Sequence, residues 1–357
     1  DGSADGTKLC VWSEWKMKHL NTTLNGNQSR LWLSFKNALR VNSGPLVALV
    51  VIYLAGSLAT SKFFTLSNQM SLLKTTSTTA ITAFGLTFVL LLGGIDLSVG
   101  SSSALAGCIV AIVAQKTAIP SYIAMPIAVI VVGFCSGLFN AFLLGQLKMP
   151  PFIATMATMN SVRGIAYLIT NGRAVNVLRT QDAWFELIGT KLLFNKIPIT
   201  ALYLIVFFVV LWMVLNRTKF GRHVYAVGGN RVAAEYSGIS AKRVDMWCYI
   251  IASLCASFSG VVICARLAAG EPTISNDATF DSVISAAVGG LTMGGGAGTL
   301  TGTLCGAILF SAINNIFNLC GVNSNWQRVF NGLIIVIAVY INYLRKQISK
   351  KRSLKSK

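Results

Sequence analysis

Long apolar segments without a single charged residue constrain the fold of this chain more than any other feature. They run from Ser43 to Ala59, Thr78 to Ile95, Tyr122 to Leu147, Thr200 to Leu215 and Gly332 to Leu344. A hydrocarbon core offers the backbone no hydrogen-bond partners, so a segment that crosses it forms a helix. The composition agrees, because 54% of the residues are apolar and only 11% are charged. We therefore predict an all-α membrane protein.

Counting apolar runs, and allowing for short Gly-rich ones, predicts about ten transmembrane helices. Their expected positions are residues 44–60, 77–95, 98–115, 122–147, 152–170, 198–215, 245–268, 279–293, 298–319 and 326–344. This pattern divides the chain into a cytoplasmic amino-terminal segment (1–43), a transmembrane domain (44–344) and a basic cytoplasmic tail (345–357). Within the transmembrane domain, residues 216–244 form a polar cytoplasmic loop.

The formal net charge of +19 is concentrated in three parts of the chain. Of the 30 Lys and Arg, six precede the first predicted helix, six lie in residues 216–244 and seven follow Leu344. Basic residues accumulate on the cytoplasmic side of membrane proteins, so both termini and the polar loop are expected there. The largest outer loop is then Asn171 to Ile197. Nucleic acid is not an expected partner, because no folded aqueous domain interleaves basic with aromatic residues.

Two Gly-rich stretches occupy corresponding places in the two halves of the chain. They are GGIDLSVGSSSALAG, from Gly93 to Gly107, and GGLTMGGGAGTLTGTLCG, from Gly289 to Gly306. Paired Gly interruptions of this kind predict an internal repeat with broken helices beside a pathway. Close packing between helices is an alternative role for these glycines, and it is compatible with broken helices beside a pathway. Small-residue ridges of that type are formed by Gly298, Gly302 and Gly306, and by Gly133 with Gly137.

The motifs of common enzymes and metal sites are missing from the sequence. No Lys-Ser or Lys-Thr follows the second Gly-rich stretch, so it is not a nucleotide-binding loop. The only two His, His19 and His223, lie far apart, and there is no H-E-x-x-H or G-x-S-x-G. The eight Cys include no C-x-x-C pair. We expect no catalytic residue, no metal and no cofactor bound by this chain.

Few ionisable residues lie within the apolar segments. Asp96, beside Ser98, is placed to cap the start of a small-residue helix, and this structural role is favoured over contact with a substrate. Arg163 either faces a pathway, reaches towards the membrane surface or neutralises a group of carbonyls. Glu271, Asp277 and Asp281 precede a predicted helix and are expected in solvent on the outer side.

Side-chain amides and hydroxyls are more numerous than charges in the apolar segments. Such groups suit the passage of an uncharged, polyhydroxylated solute. The alternative is that they bond neighbouring helices to one another. The residues are Asn140, Thr155, Thr158, Asn160, Ser161, Asn314 and Asn315, and the tentative pathway comprises Asp96, Ser98, Asn140, Asn160, Arg163, Asn314 and Asn315.

Four stretches, in the same order and with similar spacing over nearly all of residues 40–345, resemble the permease subunits of ATP-binding-cassette importers for monosaccharides. The stretches are GGIDLSVGS (Gly93 to Ser101), PFIATMATM with RGIAYLITNG (Pro151 to Gly172), NRTKFGRHVYAVGGNRVAAEYSGI (Asn216 to Ile239) and AAVGGLTMGGGAGTLTGTLCGAI (Ala286 to Ile308). The resemblance is to the branch that serves ribose, xylose and galactose. FIATMATMNSVRGIAYLITNGRAVN and NNIFNLCGVNS are most similar to the ribose permeases of that branch.

The resemblance implies two copies of this chain around a central path, two partner ATPase subunits that bind ATP and Mg²⁺, and a soluble sugar-binding protein at the outer face. It also implies that the polar loop contains the short coupling helix that fits a groove on the ATPase. By the family's motif, Gly228, Gly229 and Asn230 start this segment, Ala233, Ala234 and Glu235 form its contact face, and Ser237, Gly238 and Ile239 close it.

Simple helix chemistry is consistent with that assignment. Asn230 is a good helix cap, Ala233 and Ala234 keep the surface small, and Gly238 is suited to ending a helix. We therefore expect a non-enzymatic, multi-pass permease of the bacterial inner membrane that imports a monosaccharide, ribose above all, by alternating access. A stand-alone ion-coupled sugar transporter and a membrane scaffold that transports nothing are the alternatives.

Overall fold

Helices account for most of the chain in the computed structural model, which describes residues 43–117, 119–177, 183–193, 196–337 and 340. The helices are α1 (Ser43–Ala59), α2 (Leu66–Leu91), α3 (Val99–Lys116), α4 (Ser121–Gly145), α5 (Pro151–Thr170), α6 (Ala183–Thr190), α7 (Ile199–Arg217), α8 (Lys219–Gly229), α9 (Arg231–Tyr236), α10 (Ala241–Leu267), α11 (Ala278–Val288), α12 (Leu300–Leu319) and α13 (324–337). The predicted amino-terminal segment before residue 43 and the predicted basic tail 345–357 lie outside the described residues.

Each of the ten predicted helical segments contains a helix, but ten membrane crossings are not confirmed. In the described part of the chain, six helices are long and apolar enough to span a bilayer, namely α3, α4, α5, α7, α10 and α12. The apolar helices α1 and α11 are shorter. A mostly helical protein with six candidate membrane spans in its described part is therefore the conclusion that the structure supports.

Helix α2 begins at Leu66, eleven residues before its predicted start at residue 77. Its first half is rich in Ser and Thr, which is why an apolar pattern does not detect it. The hydroxyls bond to carbonyls of the preceding turn: Ser77 Oγ donates to Leu73 O at 2.6 Å, and Thr87 Oγ1 donates to Ala83 O at 2.7 Å. A hydroxyl satisfied within its own helix can be buried at little cost. Most of α2 is accordingly buried.

Helix α10 lies at the centre of the fold and packs against α2, α3 and α4. Glycines allow the close approach of these neighbours. A Cβ at Gly137 of α4 would lie 2.5 Å from the Cα of Ile250, and a Cβ at Gly133 would lie 2.7 Å from the Cα of Leu254. The predicted packing role of Gly133 and Gly137 is confirmed.

The second predicted ridge packs α12 against α11. A Cβ at Gly306 would lie 1.9 Å from the carbonyl oxygen of Ser285, and one at Gly289 would lie 2.3 Å from the carbonyl oxygen of Gly302. The assignment of Gly298 to this ridge was wrong. Gly298 precedes α12 and has a φ of +144°, so it belongs to the loop between the helices.

Two short antiparallel pairs complete the fold. Strand β1 (Val175–Asn176) pairs with β4 (Ala269–Gly270), and β2 (Leu192–Leu193) pairs with β3 (Ile197–Pro198). The first pair joins the loop that follows α5 to the carboxyl end of α10.

The internal repeat predicted from the two Gly-rich stretches is not tested by the helices and strands described above, and it stays a prediction.

Two glycines of apolar helices provide a matched test of this packing. We expect Gly137→Ala to lower the free energy of unfolding by about 1–3 kcal/mol, because the methyl group is forced onto the backbone of α10. Gly164→Ala, inside α5, meets no atom within 4 Å and should be neutral or stabilising by up to about 1 kcal/mol. Chemical denaturation of both variants in detergent measures the difference. Equal stability of the two variants would contradict the packing described here.

Candidate coupling site and polar cavity

The polar loop that follows α7 folds into two helices, α8 and α9. The first is capped by Thr218, whose Oγ1 accepts a hydrogen bond from the backbone N–H of Gly221 at 3.2 Å. The second is capped by Asn230, whose Oδ1 accepts from the backbone N–H of Ala233 at 3.0 Å. The predicted cap at Asn230 is confirmed, because a side-chain oxygen satisfies a free N–H of the first turn.

Gly238 ends α9 in the way that its sequence position predicts. It has a φ of +82°, a conformation that favours Gly. The backbone N–H groups of Gly238 and Ile239 donate to the carbonyls of Glu235 and Ala234, each at 3.0 Å. These bonds satisfy the last carbonyls of the helix and turn the chain towards α10.

The exposed face of α9 differs from the predicted contact face at one residue. Ala234 is only 5% exposed and belongs to the apolar core beneath the helix, so it faces inwards, away from the exposed face of α9. Ala233 and Glu235 are exposed, as is Tyr236, at 90%. Local sequence cannot determine which side of a helix of two turns packs on the core.

An ion pair fixes α9 to α10. The Arg231 guanidinium donates to both carboxylate oxygens of Asp245, with one N–O distance of 3.4 Å from Nη1 to Oδ1. Arg231 also lies 3.8 Å from the carboxylate of Glu235, one turn further along α9. The hydrogen bond with Asp245 raises the pKa of Arg231. The guanidinium is therefore charged at every physiological pH.

The end of α8 meets both Gly-rich stretches at one place, which we call the glycine junction and define as Leu91, Gly93, Gly228, Gly295 and Gly296. The N–H of Gly296 donates to the carbonyl of Leu91 at 2.8 Å. A Cβ at Gly228 would lie 1.8 Å from that same carbonyl oxygen, and one at Gly295 would lie 2.8 Å from the nitrogen of Gly93. Three segments that are distant in sequence therefore touch through their backbones.

A side chain of α8 strengthens the contact. The hydroxyl of Tyr225 donates to the carbonyl of Gly298 at 2.8 Å, in the loop between α11 and α12. Burial raises the pKa of Tyr225, so the phenol stays protonated and remains a donor.

The glycines of the two Gly-rich stretches were predicted to lie beside a pathway, and this stays a prediction. The structure places several of them against α8.

Three of the tentative pathway residues form one buried cluster. The Oδ1 atom of Asp96 accepts from the N–H of Ser98 at 2.8 Å and from its hydroxyl at 2.6 Å. The Nδ2 atom of Asn140 donates to the hydroxyl of Ser98 at 2.9 Å. All three residues have no exposed surface. Asp96 therefore bonds the residue that precedes α3 and caps no N–H group inside the helix, so its predicted role as the helix cap stays a prediction.

Asn160 and Arg163 lie away from that cluster on α5. Asn160 is exposed on the surface of the helix. Arg163 is half-buried and donates to the carbonyl of Pro272 and, at 2.9 Å, to that of Ile274. Of the roles considered for Arg163, neutralising a group of carbonyls is the one that the structure shows.

Asn314 and Asn315 lie in a different place, at a polar cavity of about 250 Å³ between α2, α11 and α12. Asn315 exchanges two amide hydrogen bonds with Asn68 of α2, each 2.9 Å long. The cavity is lined by Ser71, Leu72, Thr75, Thr79, Asp281, Phe310, Ser311, Asn314, Asn315 and Asn318. We call it the α2–α12 cavity.

Sequence reasoning missed most of this lining. Asp281 was expected in solvent, but it is half-buried and faces the cavity from α11. Ser71, Thr75 and Thr79 were not singled out, although their spacing of four residues places them on one side of a helix. The spacing of these three residues was the feature of the sequence that could have indicated the lining. It lies mostly before residue 77, where the helix was predicted to start.

Comparison with known proteins gives the class of this chain. Residues 68–339 match the family described as branched-chain amino acid transport system, permease component. The match covers more than half of the chain, and the chain belongs to this family of membrane permeases. No solved structure matches it.

The individual relatives are import permeases. The ribose import permease of Bacillus subtilis (strain 168) is 36% identical over 305 residues, which cover 84% of this chain and 92% of that protein. The ribose import permease of Escherichia coli (strain K12) is 33% identical over 312 residues, covering 86% and 95%. The D-allose transport system permease of the same strain is 31% identical over 298 residues, covering 83% and 89%.

The glycine junction can be tested at two adjacent residues. Gly228→Ala should lower the free energy of unfolding by about 1–3 kcal/mol, because its methyl group collides with the carbonyl of Leu91. Gly229→Ala meets nothing within 4 Å and should leave stability unchanged or slightly higher. Thermal unfolding of each variant in detergent gives the comparison. A Gly228→Ala protein as stable as Gly229→Ala would show that the close contact is absent.

Proposed function

We propose that this chain is the membrane permease of an ATP-binding-cassette importer that carries ribose into the cell. The observation that carries this proposal is the alignment with ribose import permeases, which extends over 84–86% of the chain. The polar cavity is consistent with it, because amides and hydroxyls suit an uncharged sugar.

The proposed importer contains other chains. Two copies of the permease enclose the path, two ATPase subunits bind ATP and Mg²⁺, and a soluble binding protein delivers the sugar. The permease itself binds no cofactor or metal and catalyses no covalent reaction. In the described residues, no cluster of His, Cys, Asp or Glu is arranged to hold a metal ion. Nucleic acid is not a partner.

The proposed location is the inner membrane of a bacterial cell, with both termini in the cytoplasm. The concentration of Lys and Arg in the termini and in the loop that contains α8 and α9 supports this orientation. The same orientation brings α9 to the side on which ATP is available.

We propose that α9 is the coupling helix. Gly228, Gly229 and Asn230 lead into it, and Ser237, Gly238 and Ile239 close it. The proposed contact surface comprises Ala233, Glu235 and Tyr236, with Ala234 beneath as the anchor to the core. A force on this helix has two routes into the membrane domain: the Arg231–Asp245 ion pair leads to α10, and the glycine junction leads to α2, α11 and α12.

Reconstitution of the purified chain in lipid vesicles tests the function. With the ATPase subunits, the binding protein and ATP, we expect uptake of labelled ribose, and omission of any one component should abolish it. A stand-alone ion-coupled transporter would instead take up ribose without partners when an ion gradient is applied. Uptake that needs neither partner would refute the proposal. A scaffold would show no uptake under any of these conditions.

Adjacent alanines of α9 test the coupling surface. Ala233→Arg should place a bulky charge at the interface and lower ATP-driven uptake at least about tenfold, the equivalent of about 1.4 kcal/mol, without lowering the stability of the isolated chain. Ala234→Arg should destabilise the chain itself, because its side chain replaces a buried methyl group. Ala59→Arg, at the exposed end of α1, is the control for an added charge. Normal uptake by Ala233→Arg would count against α9 as the contact.

A further inference from the structure

Two cavities meet at a pair of polar side chains, Asp281 and Asn314. The first is the α2–α12 cavity described above. The second, of about 460 Å³, lies beside it against α13 and is also lined by Asp281 and Asn314, together with Asn331, Gln327 and Arg328. Among the residues that the structure describes, no other lines both spaces. Asp281 and Asn314 therefore lie at the boundary between the two cavities.

Adjacent asparagines in α12 differ in whether their amides are already used. Asn315 uses both its amide nitrogen and its amide oxygen in the reciprocal pair with Asn68, which links α12 to α2. The carbonyl oxygen of Asn314 is buried and has no hydrogen-bond partner in the described part of the chain. The carbonyl oxygen of Asn331, in the second cavity, is in the same state. A buried acceptor without a partner is costly unless a ligand or solvent supplies the donor.

The carboxylate of Asp281 is also available. Within the described residues, no ion pair joins it to a Lys or Arg, whereas Asp277, which directly precedes α11, lies 3.4 Å from Arg328. A carboxylate accepts hydrogen bonds from two neighbouring hydroxyls and repels anions. It can therefore bond the hydroxyls of a neutral polyhydroxylated solute.

The size and the remaining lining of the α2–α12 cavity agree with such a solute. Its volume of about 250 Å³ is far above the roughly 10–15 Å³ that one water molecule needs on this measure, so it has room for a small polar solute. Ser71, Thr75 and Thr79 present hydroxyls from one side of α2, and Ser311 presents another from α12. Hydroxyls donate as well as accept, so they complement the acceptor groups of Asp281 and Asn314.

We infer that Asp281 and Asn314 form a hydroxyl-recognition site for the transported monosaccharide within the permease itself. This inference rests on the proposed function and adds a selection step after delivery by the binding protein. The carboxylate of Asp281 and the amide oxygen of Asn314 accept hydrogen bonds from sugar hydroxyls, and the hydroxyls of α2 complete the site.

The position of the site connects it to the glycine junction. Asp281 is in α11 and Asn314 is in α12, and the loop between these helices contains Gly296 and Gly298. That loop is held by Leu91 and by Tyr225 of α8. A displacement of α8 therefore acts on the loop that joins the two helices carrying the site, which gives the coupling segment a route to the sugar.

The experiment compares the uptake of ribose with that of 2-deoxyribose and 5-deoxyribose in vesicles that contain the complete importer. The ratio of ribose to analogue is measured for the wild type, Asp281→Asn and Asn314→Leu. A fraction of misfolded protein lowers both rates equally and leaves the ratio unchanged, and the binding protein is the same in every sample. Loss of a hydrogen bond to a buried or charged acceptor should lower at least one ratio by roughly tenfold.

Two controls make the same chemical changes outside both cavities. They are Glu271→Gln, in the exposed loop before α11, and Gln146→Leu, after α4. Both should retain the ratios of the wild type. Wild-type ratios for both analogues in both site variants, with normal wild-type uptake of ribose, would overturn the site but not the proposed function. No ribose uptake by the complete wild-type importer would overturn both.

Discussion

One backbone hydrogen bond, from the N–H of Gly296 to the carbonyl of Leu91, lies at the glycine junction, where the loop that contains α8 and α9 meets the membrane helices. It joins the carboxyl end of α2 to the loop between α11 and α12, and Gly228 of α8 packs directly on the same carbonyl. The distances leave no room for a side chain at Gly228. Backbone contacts of this kind transmit displacement without the slack of a flexible side chain.

Polar groups inside the membrane domain fall into two classes that differ in what they bond. Asp96, Ser98 and Asn140 bond one another, Asn315 bonds Asn68, and the hydroxyls of Ser77 and Thr87 bond carbonyls of their own helix. These groups stabilise the fold. Asp281 and Asn314 are different. Both line the same two cavities, and among the described residues no group forms an ion pair with Asp281 or a hydrogen bond with the amide oxygen of Asn314. Polar character alone therefore does not identify a pathway residue. A buried oxygen without a partner does not identify one either, because Asp96 and Asn140 each have one; Asn314 differs in that it also lines a cavity.

The sequence predicts what depends on neighbours along the chain. The cap at Asn230, the helix end at Gly238 and the packing ridge of Gly133 and Gly137 all follow from short-range rules, and all are confirmed. What depends on distant contacts was not predictable from one sequence. The inward face of Ala234 is set by the core beneath it, and the role of Asn315 is set by a partner 247 residues away. The start of α2 at Leu66 was not predicted, because its first half is rich in Ser and Thr and lacks an apolar pattern.

In the proposed importer, α9 is the surface that contacts the ATPase, and the glycine junction connects the loop that contains α9 to the membrane helices. Hydrogen–deuterium exchange of the permease, measured with and without the ATPase subunits, tests this most directly. If α9 is the coupling helix, amide exchange at residues 231–239 should be slower in the complex, and exchange at the amides of Gly295 and Gly296 should change. Unchanged exchange at residues 231–239, with protection elsewhere on the chain, would contradict it.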